Sequence, residues 1–146
     1  MFPESRFDSM PNAVGSGPLQ VIAYEPGVCN IGPAEIARRR RAGHAGVVVS
    51  LALLAVLLVL AAPHWARLLL APTAAAAASG YLQARLHFCA AFGSMSVYNF
   101  GELGAAEQVL DKQARRRDRM RSLQIGLASL AIGLAVGIGA FLLPIR

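Results

Sequence analysis

The chain has 146 residues, of which 55% are hydrophobic and only 15% charged, with fourteen Lys and Arg against eight Asp and Glu for a net charge of +6. A typical soluble domain carries about 25% charge, so this composition excludes an ordinary soluble fold and a disordered chain alike. Two cysteines cannot staple a chain of this length, and the apolar residues gather into unbroken runs: the composition is that of a small membrane protein.

Residues 1–32 read as an irregular, mobile arm. Pro3, Pro11, Pro18 and Pro26 recur along it with Gly15, Gly17 and Gly27 between them, and such a stretch lacks the apolar density to offset its own ordering entropy. Val21, Ile22, Ala23 and Tyr24 form one short segment able to dock on a surface. A helix is expected to start at Pro33, with Gly32 as N-cap, proline in the first turn and Glu35 near the positive end of the dipole. It runs through Arg38, Arg39, Arg40 and Arg41 into residues 45–62, eighteen residues without a charge. At 1.5 Å per residue that run covers about 27 Å, close to the hydrocarbon thickness of a bilayer. A cleaved signal peptide is the alternative, but the basic region before the apolar run is far longer than such signals carry.

Pro63, His64 and Trp65 suit the far interface. Residues 65–82 give a second span that is weaker in apolar character, Ala-rich and interrupted by Pro72, with a re-entrant segment as the alternative. Residues 123–143 give a third, twenty-one residues without a charge. The expected fold is therefore an all-α membrane protein with three transmembrane helices, its membrane domain covering residues 33–146 with a basic inner loop at 83–121. Charge supports the count. With the N-terminus inside and three spans, twelve of the fourteen basic residues fall on the inner side, leaving only Arg67 and Arg146 outside; two spans would split the basic blocks.

In the inner loop, Tyr81, Phe88, Phe92 and Met95 recur at helical spacing, suited to the interface. Residues 102–121 read as a polar helix leading into the third span, with Asp111 and Arg115 placed for an i,i+4 pair. The basic residues Arg38, Arg39, Arg40, Arg41, Arg115, Arg116, Arg117, Arg119 and Arg121 form a lipid-facing cluster expected to meet anionic headgroups. Nucleic acid is not expected, since no folded module or aromatic platform accompanies them.

Gly126, Ser129, Gly133, Gly137 and Ala140 line one face of the third span, a small-residue stripe that lets another helix approach closely. This suits packing within the chain, self-association or a membrane-protein partner. The spans carry no ionisable group at hydrocarbon depth, which argues against a pump or carrier. No phosphate loop or hydrolase motif is present and no cofactor is expected. The leading reading is thus a non-enzymatic membrane protein with a structural, regulatory or complex-subunit role. The competing reading is a thiol or metal site at the inner interface built on Cys29, His87 and Cys89. These three lack metal-ligand spacing, so two reduced, buried thiols are the simpler account.

Cys29-Asn30-Ile31-Gly32-Pro33-Ala34-Glu35-Ile36 with the following arginines, and Gly80-Tyr81-Leu82-Gln83-Ala84-Arg85 with Phe88, Cys89 and Asn99, resemble a group of small bacterial membrane proteins. The resemblance implies a bacterial inner membrane location and a pairing of Cys29 with the Cys89 region. It implies no reaction.

Overall fold

The computed structural model describes residues 23–144. Six elements follow in chain order: α1 (Pro33–Val59), a 3-10 turn (His64–Leu69), α2 (Leu70–Arg85), α3 (Ala90–Met95), a two-stranded hairpin of β1 (Val97–Tyr98) and β2 (Glu107–Gln108), and α4 (Lys112–Leu142). The small hairpin pairs Val97 with Gln108 and Tyr98 with Glu107, antiparallel. Helices dominate, and two of them, α1 and α4, are long and apolar enough to cross a membrane.

α1 starts as its sequence dictates, with Gly32 as N-cap and Pro33 in the first turn. It ends where Ala61 adopts a left-handed backbone, φ 46°, just before Pro63. Over residues 65–82, expected as a second span, the structure has a 3-10 turn followed by a helix of 16 residues, about 24 Å at 1.5 Å per residue. That helix is not among the two long and apolar enough to cross a membrane. Pro72 does not interrupt this helix because it occupies the first turn, where its missing N–H has no intrahelical partner to lose.

α2 is the centre of the bundle, packed on both α1 and α4. Its small side chains are the reason. A Cβ on Gly80 would lie 2.5 Å from the Gly43 nitrogen, and one on Gly46 would lie 2.8 Å from the Ala77 Cα. On the other flank, a Cβ on Gly133 would press on the Ala71 carbonyl, and one on Gly137 would lie 2.9 Å from the Ala71 Cβ. Rising numbers on α1 and α4 meet falling numbers on α2, so α2 runs antiparallel to both. Ser50 Oγ lies 2.9 Å from Thr73 Oγ1 across the α1–α2 seam.

The buried stripe of α4 is Ala114, Asp118, Ser122, Ile125, Ser129, Gly133, Gly137 and Ala140. Four of the five small residues expected on the packing face are there. Gly126 is not: it is exposed and a Cβ on it would meet nothing within 4 Å, because the stripe passes through its neighbour Ile125. The α1–α2 crossing, built on Gly43 and Gly80, is as close as the α4 contact.

α4 also starts later than the sequence suggests. Residues 102–106 are loop, with Gly104 at φ +99°, and residues 107–108 are strand. Asp111 is the N-cap, its Oδ2 accepting from the Ala114 N–H at 2.7 Å. Instead of pairing with Asp111, Arg115 donates from Nε to the Val109 carbonyl at 2.6 Å. At the far end, the buried Arg67 donates to the Leu143 carbonyl at 2.8 Å, a cation against the negative end of the α4 dipole.

Of the irregular arm, residues 23–32 are ordered by contacts with the rest of the chain; Val21, Ile22, Arg6 and the C-terminal Arg146 lie outside the described residues. Eleven of the twelve described basic residues sit at the end of the bundle that holds the α1 N-terminus and the residue 86–111 segment. Arg67 alone sits at the other.

Candidate functional site at the basic end

The polar groups buried at the basic end centre on Asn30. Its side chain is fully buried, and it grips the backbone of Cys89 with both functions. Oδ1 accepts from the Cys89 N–H at 2.7 Å and Nδ2 donates to the Cys89 carbonyl at 3.1 Å. Its own backbone completes the tie: Asn30 N–H donates to the His87 carbonyl at 3.2 Å, and its carbonyl accepts from Asn99 N–H at 2.9 Å. Gly32 N–H then donates to the Asn99 carbonyl at 2.7 Å. A Cβ on Gly32 would lie 3.0 Å from the Phe100 backbone, so the close approach of these two strands of chain requires glycine there. Asn99, 1% exposed, shapes its own loop by accepting from Gly101 N–H at 2.9 Å and donating to the Glu102 carbonyl at 3.0 Å.

Beside this tie lies a charged triad. Glu35 is 1% exposed and forms ion pairs with Arg38 at 3.4 Å and Arg39 at 3.6 Å. A carboxylate so buried needs a cation and, at a helix N-terminus, gains from the dipole. Arg39 also donates from Nη2 to the Cys89 sulfur at 2.9 Å and lies 6.0 Å from the Phe92 ring centroid. Arg39 is therefore turned inward, a correction to its expected place in the lipid-facing cluster. Gln83 caps the far side, its Oε1 accepting from Ala90 N–H at 3.1 Å.

A second buried carboxylate, Asp118 on α4, holds the chain before α1. Its Oδ1 accepts from Gly27 N–H at 2.7 Å and its Oδ2 from the Tyr24 hydroxyl at 2.8 Å. Gly27 sits at φ +75°, and a Cβ there would lie 3.3 Å from that of Arg117. Tyr24 stacks on Tyr98 at 4.7 Å between centroids. Burial first, then the hydrogen bond and charge of Asp118, hold the Tyr24 phenol well above its ordinary pKa.

The Cys29, His87 and Cys89 set does not assemble. Both cysteines are free thiols, Cys89 buried and Cys29 half-buried, and it is Asn30, next to Cys29, that reaches the Cys89 region. Burial pushes the Cys29 thiol up in pKa, partly offset by its contact with the Ile31 carbonyl. His87, with φ 52°, contributes its carbonyl to Asn30 and leaves its ring exposed. Among the described residues no group of three His, Cys, Asp or Glu is placed to hold a metal ion.

Of the remaining basic residues, Arg40, Arg41, Arg116, Arg117 and Arg119 are exposed, while Arg115 and Arg121 are half-buried. Sequence reasoning missed Asn30, Glu35, Asn99 and Asp118 as buried groups. For Asp118 a signal existed: it stands four residues from both Ala114 and Ser122, on the small-residue stripe, amid a run of arginines. Comparison with family models, with curated proteins and with solved structures finds no match to this chain.

Proposed function

We propose that this chain is a small multi-pass protein of a bacterial inner membrane, with a structural, regulatory or complex-subunit role and no catalysis of its own. In this reading α1, α2 together with its leading 3-10 turn, and α4 cross the bilayer three times, the N-terminus is cytoplasmic, the C-terminus lies outside, and the basic end meets anionic headgroups. The observation that supports it is the use made of the buried polar groups at the basic end. Asn30, Asn99, Gln83 and Asp118 bind backbone or a neighbouring side chain. A catalytic group needs access to a substrate; these hold segments of the chain together and make a rigid cap. Outside the cap, α1 and α4 present broad apolar faces, with Val48, Leu51 and Val59 on one and Leu123, Leu127 and Leu130 on the other all more than half exposed. Such faces are covered by lipid or by other helices.

Photo-crosslinking residues placed at Leu51 and Leu130 in native membranes test this. A protein adduct, either a second copy or another membrane protein, is expected from at least one face. Lipid adducts alone from both faces would remove the subunit role.

The competing thiol reading has one observation in its favour, the Arg39 guanidinium 2.9 Å from the Cys89 sulfur. It ranks second because Cys89 has no exposed surface. Stoichiometric metal that co-purifies with the protein and is lost on Cys89→Ser would reverse the ranking.

A further inference from the structure

We propose that the cleft between the Pro26–Gly27 turn and the basic half of α4 binds the phosphate of one anionic phospholipid headgroup. This rests on the membrane reading above and assigns it a site. The cleft is open, about 380 Å³, and its α4 wall carries Arg116, Arg117 and Arg121 together with Met120 and Gln124.

No carboxylate lines it. The nearest on the helix, Asp118, is turned away, its oxygens occupied by Tyr24 and Gly27. Among the described residues Arg116, Arg117 and Arg121 enter no ion pair. Arg117 and Arg121 stand at i,i+4, a spacing at which like charges repel, so an anion between them relieves a cost built into the helix. Arg121 is oriented by its Nη1 contact with Gln124 Oε1 at 3.3 Å. Its Nε is shielded from solvent and has no hydrogen-bond partner, so contact with an anion in the open cleft falls to its Nη groups. Two guanidinium forks on one face match the oxygens of a phosphate better than a point charge does.

The position selects lipid over a soluble phosphate. Arg121 is the last charge before residues 122–145, which carry none, so the cleft opens where α4 enters its apolar stretch. Met120, 54% exposed on the same wall, offers an apolar surface to the glycerol and the acyl root. A free phosphate has no use for it.

The test uses the full chain in a neutral detergent, with lipid binding counted by native mass spectrometry. The probes are short-chain phosphatidylglycerol and phosphatidylcholine of equal chain length. The wild type should retain one phosphatidylglycerol at least tenfold more tightly than phosphatidylcholine. The double variant R117Q/R121Q should lose that preference by tenfold or more. R85Q/K112Q removes the same charge from exposed positions outside both the cleft and the arginine cluster and should change it by less than threefold. Equal loss in both would overturn the cleft while leaving general attraction to anionic surfaces intact. No preference in the wild type would overturn the lipid reading itself. R121K, which keeps charge and helix but loses the fork, should weaken binding several-fold; an unchanged affinity would count against the cleft independently of any folding defect in the double variant. Inorganic phosphate is the final arm. It should compete only weakly, and displacement of the lipid at equal concentration would assign the cleft to a soluble phosphate instead.

Discussion

Asn30 supplies one donor and one acceptor to the backbone of Cys89, both at full burial. Alanine in its place strands the buried Cys89 N–H, while the Cys89 carbonyl keeps the Gly93 N–H at 2.9 Å, a loss of roughly 1–3 kcal/mol if the N–H finds no water. The expected consequence is a loosened cap, read directly at Cys89. In a Cys29→Ser background, Cys89 should alkylate slowly in the wild-type cap and at least tenfold faster after Asn30→Ala. An unchanged rate would mean that the segment is held by its backbone bonds alone. Tyr24 gives a pH-dependent counterpart at the other anchor. Its pKa is raised above the ordinary value of about 10, so the folded state favours the neutral phenol. Docking of the 24–29 turn should therefore be intact below pH 10 and weaken as the pH rises beyond it. Asp118→Asn removes the charge that contributes to the rise. With Tyr81 and Tyr98 replaced by Phe, the phenolate absorbance of Tyr24 should then appear at lower pH. An unmoved titration would leave burial as the whole cause.

Between helices, the decisive residues are those that have no side chain to offer. In hydrocarbon, apolar burial gives little drive for helix association, and close van der Waals contact takes its place. Gly80 and Gly43 meet backbone to backbone, and Gly137 meets Ala71. Gly80→Ala should destabilise the bundle by about 1–3 kcal/mol, the usual range for overpacking a tight contact. Gly126→Ala and Gly139→Ala place a methyl in open space and should be neutral, or stabilising by up to about 1 kcal/mol from helix propensity. Thermal unfolding in a single detergent compares all three; similar midpoints for Gly80→Ala and Gly126→Ala would show that the crossing is loose. This asymmetry also marks how far the sequence could be read. The start of α1 at Pro33, the apolar run of α4 and most of its small stripe follow from local signals: a capping glycine, uncharged length, helical spacing. The α1–α2 crossing does not, because Gly43 and Gly46 stand just before and at the start of the uncharged run and look like a flexible entry until Gly80 and Ala77 are known to face them. The cap is less legible still. Asn30 with Cys89 and Asp118 with Gly27 are pairings 59 and 91 residues apart, and no local pattern encodes a contact of that range.

Across the whole molecule, charge and helix direction point the same way. α2 runs antiparallel to both neighbours, so the chain passes from the basic end to the Arg67 end, back, and out again. The basic end then gathers Arg38, Arg39, Arg40, Arg41, Arg85, Lys112 and the five arginines of early α4. Basic residues within a short distance of an apolar segment resist translocation, and it is their placement that fixes orientation. The expected topology puts this end on the cytoplasmic side. Single cysteines at residue 64, in the turn before α2, and at residue 104, in the loop between β1 and β2, provide the readout, with the native thiols changed to serine. A membrane-impermeant maleimide added to intact cells should label residue 64 and spare residue 104; after the membrane is opened both should label. Labelling of both in intact cells would mean that the helices do not alternate across the bilayer. Labelling of residue 104 alone would invert the orientation. Replacing the arginines at 115, 116, 117, 119 and 121 with Gln should leave the pattern unchanged while Arg38, Arg39, Arg40 and Arg41 remain, since either basic block suffices to hold its end inside. Replacing both blocks should produce mixed labelling, the signature of an orientation set by charge and not by the cap.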